Sequence, residues 1–198
     1  INKNFYSNFL HVFRTFYLNS FSNNSKVTCI PIGYKTGPIK NSISLNERKY
    51  VWNFLGTMHG ASRYDLIMQN KNIKPNYINI TKKFGGKNSL DPNEYYEIMG
   101  NTVFCLVSHG YFHPETYRLY ESLESGCIPI IENPHNFFDI FLPNNPLIKI
   151  NLWKDSRKII EDLNINIKKK IDLSNSIQNW WINYKLNLRG EIKKKLNV

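Results

Sequence analysis

From residue 50 onward the chain alternates short apolar runs with segments of helical periodicity. The runs "YVWNFLGT" (50–57), "YINIT" (77–81), "TVFCLVSHG" (102–110), "CIPII" (127–131) and "PLIKI" (146–150) are near-continuous rather than strictly alternating. Antiparallel strands with one wet face alternate; parallel strands covered on both faces do not. Between the runs, helical segments are expected at 62–70, from Asp91 through "NEYYEIMGN", at 114–125, over "HNFFDIF", at 153–164 and at 173–196. Asp91 is placed to cap the second, with Pro92 at its first position. Gly126 ends the 114–125 helix, and Gly190 is a candidate kink in the last. The pattern implies an α/β fold, a doubly wound parallel sheet.

Upstream the pattern is weaker. "FYSNFLHVFRTFYLN" has apolar residues at helical spacing, so an amphipathic helix is expected over 4–19. "VTCIPIG" (27–33) reads as a short strand, with Pro31 holding it to an edge or a strand end. "KTGPIKNS" (35–42) and "KKFGGKNSLDP" (82–92) read as loops, and Ser44 could cap a short helix. The chain divides on this reading into an N-terminal helix and linker (1–26), a central domain (27–170) and a C-terminal helix (171–198).

Ligands of such sheets bind at the carboxyl ends of the strands, beside helix N-termini. Two turns there share a design. "TMHGASR" (57–63) follows Gly56, and "HGYFHPETYR" (109–118) contains Gly110. Each pairs a glycine with a hydroxyl residue, Ser62 or Thr116, and an arginine, Arg63 or Arg118. Glycine lets a ligand approach the backbone, free helix N–H groups favour an anion, and guanidinium grips phosphate in two places. Together the turns could hold a diphosphate without a metal. On the helix after the second turn, Arg118, Glu121, Ser122 and Ser125 share a face opposite Leu119, Tyr120 and Leu123. Glu121 lies about 5 Å along the axis from Arg118, a fair separation between a nucleotide's phosphate and its ribose. An exposed Arg–Glu pair is the competing account of these two residues.

"FCLVSHGYFHPETYRLYESLESGCIPIIEN" resembles the C-terminal signature of the exostosin-like glycosyltransferases, family 47. The matching residues are Thr116, Arg118, Leu119, Glu121, Leu123 and Gly126 to Ile131; "CIPIGYKTG" and "VWNFLGTMHGASR" match upstream elements in the same order. The resemblance implies the C-terminal, nucleotide-sugar-binding half of a GT-B enzyme, a fold of two Rossmann-like domains. It implies inverting transfer of a sugar, from a donor expected to be UDP-linked, to a carbohydrate or glycoconjugate acceptor, with no cofactor and no bound metal. It assigns Glu121 to ribose and Arg118 and Arg63 to the diphosphate. Gly56, Ser62, Thr116 and Gly110 complete the donor corner, and His109, His113 and Ser122 are cleft candidates. It places no catalytic base in this chain, and the shortness of the chain before residue 27 suggests a missing N-terminal domain. Golgi or ER lumen is the expected location if an anchor lies upstream, and cytoplasm otherwise.

Composition leaves other readings to weigh. The net charge of +11, from 26 basic and 15 acidic residues, favours an anionic partner. A nucleic-acid-binding module is disfavoured, because much of the surplus lies in the triplets Lys168–Lys170 and Lys193–Lys195 and no recognition motif is present. A non-catalytic glycan- or nucleotide-binding relative, or a fucosyltransferase-like enzyme preferring GDP, would show the same turns. Cys29, Cys105 and Cys127 sit in apolar runs without zinc spacing and read as small core residues. The sequons at Asn23 and Asn79 are expected by chance in so asparagine-rich a chain.

Overall fold

A computed structural model describes residues 3–197 apart from 22, 36, 38–42, 84 and 87. Much of the loop expected at 35–42 therefore lies outside the described residues. The chain forms two compact units, one of residues 33–180 and one of residues 1–32 with 181–198. These group the chain differently from the sequence segments 1–26, 27–170 and 171–198.

In the smaller unit, β1 (Val12–Arg14) pairs in parallel with β2 (Val27–Cys29), Val12 opposite Val27 and Arg14 opposite Cys29. The helix expected over 4–19 is not formed. A 3-10 turn at Lys3–Asn8 is followed by β1, and Phe16 takes φ 61°, which no helix accommodates. The stretch His11–Phe13 is rich in β-branched and aromatic side chains, and pairing with 27–29 overrides its helical spacing. β2 stops at Cys29, two residues before Pro31. Arg14 lies over the buried Phe21 ring at 4.6 Å.

The larger unit is built on five parallel strands: β3 (Tyr50–Thr57), β4 (Asn76–Thr81), β5 (Thr102–Val107), β6 (Ile128–Glu132) and β7 (Ile148–Ile150). Their spatial order is β4-β3-β5-β6-β7. After β3 the chain moves to one side for β4, then crosses back to lay β5 on the other side. The order reverses between β3 and β5, and in such sheets that switch point opens a crevice for a ligand. The unit is therefore the Rossmann-like, doubly wound sheet that the apolar runs imply.

The helices follow from the intervening segments. α1 (Gly60–Asn70) packs on α5 (Lys154–Ile165), joined by a buried bond from Asn70 Nδ2 to Ser156 Oγ at 2.8 Å. α2 (Pro92–Gly100) and α3 (Tyr117–Glu124) lie against β3, β5 and β6. Asp91 caps α2 by accepting from the Asn93 and Glu94 amides at 2.8 and 3.1 Å. Ser44 precedes a 3-10 turn (Leu45–Glu47), but its hydroxyl makes no cap bond. "HNFFDIF" forms a 3-10 turn and then α4 (Phe137–Phe141). α6 (Ile167–Leu196) begins six residues before the expected start and continues through Gly190. No helix among the described residues is long and apolar enough to cross a membrane.

The core follows the central strands. Every residue of β5 is buried, and Trp52, Phe54, Phe104, Leu106, Ile128, Leu119 and Leu123 are fully enclosed. Cys105 and Cys127 are free and buried, and Cys127 donates to the Met99 carbonyl. Burial pushes both thiols up, Cys127 to about 11, so both stay neutral.

Candidate functional site

A cleft of about 440 Å³ opens at the carboxyl ends of β3 and β4, beside the loop that follows β5. Its floor is Leu55, Gly56 and Thr57 of β3, and its walls come from α1, α2, α3 and the β5–α3 loop. Two arginines reach it from separate helices. Arg63, in the second turn of α1, folds back so that Nη1 donates to the Thr57 carbonyl at 2.6 Å. Arg118, in the first turn of α3, lies over the Phe54 ring at 5.0 Å, a cation–π contact in a dry setting. They are only 7% and 8% exposed. Arg63 Nε and Arg118 Nε and Nη1 are buried without a hydrogen-bond partner among the described residues. Buried donors are almost always paired, so three orphan N–H groups in one cleft are unusual. Burial first, then the adjacent Arg118, lowers the Arg63 guanidinium to about 9, still charged at neutral pH.

Gly56 makes this arrangement possible. Its φ is 153°, and a Cβ there would lie 2.2 Å from Arg118 Nη2. Glycine at the last position but one of β3 lets a guanidinium lie on the strand's backbone.

Glu121, one turn along α3, is 7% exposed. Its Oε2 accepts from the Tyr95 hydroxyl at 2.6 Å, and its Oε1 from the Lys35 amide at 3.4 Å. A carboxylate oxygen has room for a further donor, so each could still take a ligand hydroxyl. Burial, then the Glu121 charge, pushes the Tyr95 phenol well up, and it remains a donor at neutral pH. Thr116 occupies the N-cap of α3 without a cap bond, and its Oγ1 is buried without a hydrogen-bond partner among the described residues.

The structure thus brings Gly56, Arg63, Thr116, Arg118 and Glu121 into one cleft and sets the other candidates apart. Ser62 faces away: it donates to Glu132 Oε2 at 2.6 Å and accepts from Trp153 Nε1 at 3.0 Å. α1 starts at Gly60, two residues earlier than expected, and the register turns Ser62 towards α5. Gly110 serves its own loop, its amide donating to the His113 carbonyl at 2.9 Å. His109 lies against Glu132, with its amide donating to Oε2 at 3.2 Å and Nε2 3.7 Å from the same oxygen. His113 accepts from the Glu115 amide at 3.2 Å and meets Phe137 edge-on. Ser122 is fully buried and donates to the Leu119 carbonyl. The face shared by Arg118, Glu121, Ser122 and Ser125 is not a solvated one, because Arg118 to Leu123 and Ser125 are all buried. An exposed Arg–Glu pair is excluded for the same reason.

Tyr95, Tyr111, Lys35 and His59 also line the cleft and were not singled out from the sequence. Tyr95 was legible as part of a capped helix, but its bond to Glu121 joins residues 26 apart. Burial first, then Arg63 with the neighbouring His109 and Arg118, lowers His59, which keeps it neutral at neutral pH. Among the described residues no cluster of His, Cys, Asp and Glu has the arrangement to hold a metal ion.

Comparison with known proteins adds a family. The model of the Exostosin GT47 domain matches residues 2–136. Ribitol-5-phosphate xylosyltransferase 1 of Mus musculus is 23% identical over 175 residues, 76% of this chain and 38% of that protein. The Homo sapiens protein of the same name is 23% identical over 187 residues, 80% of this chain and 42% of its own length. An Arabidopsis thaliana protein named "Probable glycosyltransferase" is 28% identical over 116 residues, 57% of this chain and 21% of its own. The chain therefore spans less than half the length of each of these relatives.

Proposed function

The chain belongs to the exostosin GT47 family, and from that premise we propose that its cleft binds the nucleotide-diphosphate sugar of a glycosyltransferase. The observation that carries the reading is the pair of buried arginines with unpartnered N–H groups at the switch point of the sheet. Arg63 and Arg118 hold the diphosphate, with the N-terminal amides of α3 beside it. Glu121, oriented by Tyr95, accepts from the ribose hydroxyls. The donor is UDP-linked, and the acceptor is a hydroxyl of a glycan or glycoconjugate.

In the reaction the acceptor oxygen forms a bond to the anomeric carbon while the bond to the diphosphate oxygen breaks. The electron pair leaves with the diphosphate, the acceptor proton passes to a base, and the anomeric configuration inverts. Negative charge grows on the leaving group as that bond breaks. Two guanidiniums fixed in a water-poor cleft stabilise it most at that moment, without reorganising. The chemistry needs no metal in this reading, so turnover should be unchanged by EDTA.

Calorimetric titration with UDP and with GDP tests donor binding. UDP should bind the more tightly, and the double variant Arg118→Ala/Glu121→Ala should lose binding by at least about a hundredfold, roughly 1.4 kcal/mol for each side chain. No binding of either nucleotide at millimolar concentration, or equal binding by the double variant, would sink the reading. Tighter binding of GDP would leave the site in place and move the donor to the guanosine class.

A further inference from the structure

The β5–α3 loop does more than deliver Arg118. It closes tightly: a Cβ on Gly110 would lie 2.7 Å from the His113 carbonyl oxygen and 3.0 Å from that of Glu115. Its base is anchored. Glu115, 3% exposed, accepts from the Tyr120 hydroxyl, and His113 packs on Phe137 at 5.0 Å. On this fixed base the tip holds Tyr111 and Phe112 out at 70% and 94% exposure. The two rings meet edge to face at 4.4 Å, and Tyr111 meets His59 at 5.5 Å. A single exposed apolar side chain is ordinary, but two successive aromatics on a braced loop at a cleft mouth point to a ligand.

We propose that Phe112, braced edge to face by Tyr111 at the loop tip, is the ring on which a sugar of the acceptor stacks. The inference rests on the glycosyltransferase reading above. Aromatic faces are electron-rich, and one face of a sugar ring presents C–H groups that act as weak donors to them. The sugar's hydroxyls stay hydrated at the open mouth. His59 supplies the directional contact: its Nε2 is buried without a hydrogen-bond partner among the described residues, beside Tyr111 in the cleft. The acceptor is favoured over the donor by position. Tyr111 lines the cleft and Phe112 does not. With the diphosphate on Arg63 and Arg118, the donor's sugar ends beside Tyr111, and a ring over Phe112 belongs to the second substrate.

The test is binding of neutral oligosaccharides by saturation-transfer NMR with UDP present, the probes being cellopentaose, xylopentaose and chitopentaose. At least one should bind the wild type. Phe112→Ala should weaken it by roughly five- to tenfold, the size of one aromatic contact. His59→Ala should weaken it further, while UDP affinity of Phe112→Ala stays within about twofold of wild type. The idea is overturned if UDP binds but none of the oligosaccharides does, or if Phe112→Ala binds them like the wild type. It is also overturned if the wild type is dimeric in solution and Phe112→Ala makes it monomeric without sugar bound, for then the tip is a contact between copies. Failure of the wild type to bind UDP brings down the donor reading as well, so the nucleotide arm tells the two failures apart.

Discussion

A single missing Cβ governs the charge geometry of the cleft. Gly56 leaves the space into which the Arg118 guanidinium lies, held from the other side by the Phe54 ring. Gly56→Ala would set a methyl 2.2 Å from Nη2, and the guanidinium would have to move. UDP affinity should fall at least about tenfold by calorimetry. In the Gly56→Ala/Arg118→Ala double variant little should be lost beyond Arg118→Ala alone, because the two changes act on one group. Both residues were visible in the sequence as parts of two similar turns. Their contact was not, because it joins positions 62 apart through a backbone conformation that spacing does not encode. Ser62 teaches the converse. It is a hydroxyl at a helix start, yet a helix beginning at Gly60 turns it to Glu132 and Trp153.

Helix ends set how firmly the site's side chains are held. Asp91 caps α2, whose first turn leads to Tyr95 and so to Glu121. At the far end of α3 the Cys127 amide donates to the Ser122 carbonyl at 2.9 Å and that of Gly126 to Leu123 at 3.2 Å. That is the Schellman pattern, with Gly126 at φ 68°. Urea unfolding should show Asp91→Ala costing about 1 kcal/mol. Gly126→Ala should cost about 1–2 kcal/mol, from the left-handed conformation with a Cβ 3.0 Å from Arg48 Nη2. Both ends were legible because caps are local: Asp-Pro and a terminal Gly act through bonds within a few residues. The helix expected over 4–19 failed for the opposite reason. Its spacing was helical, but a partner strand at 27–29 supplied backbone bonds that no local signal announces.

At the scale of the molecule, the cleft exists because the strand order reverses between β3 and β5. The two arginine-bearing helices then rise on either side of one crevice. A ligand in it stabilises the unit of residues 33–180 by mass action. UDP at a hundred times its dissociation constant should add about 2.7 kcal/mol and raise Tm by several degrees. Hydrogen exchange should slow in β3, β5 and the first turn of α3, and Arg118→Ala, binding UDP about tenfold more weakly, should roughly halve the stabilisation at the same UDP concentration. The parallel α/β class, the strands from residue 50 onward and the capped helices were all legible in the order of residues. Continuous apolar runs and capping residues express short-range physics that survives in a one-dimensional reading. It also brought Arg63, Arg118 and Glu121 forward as a group. Only packing fixed that Arg63 and the Arg118–Glu121 face of α3 are buried, that Tyr95 holds Glu121, that Ser62 and Ser122 are turned elsewhere, and that Tyr111 and Phe112 stand at the mouth. Those outcomes depend on which distant residues fill the space around each side chain, and packing is settled only when the whole sheet has closed around it.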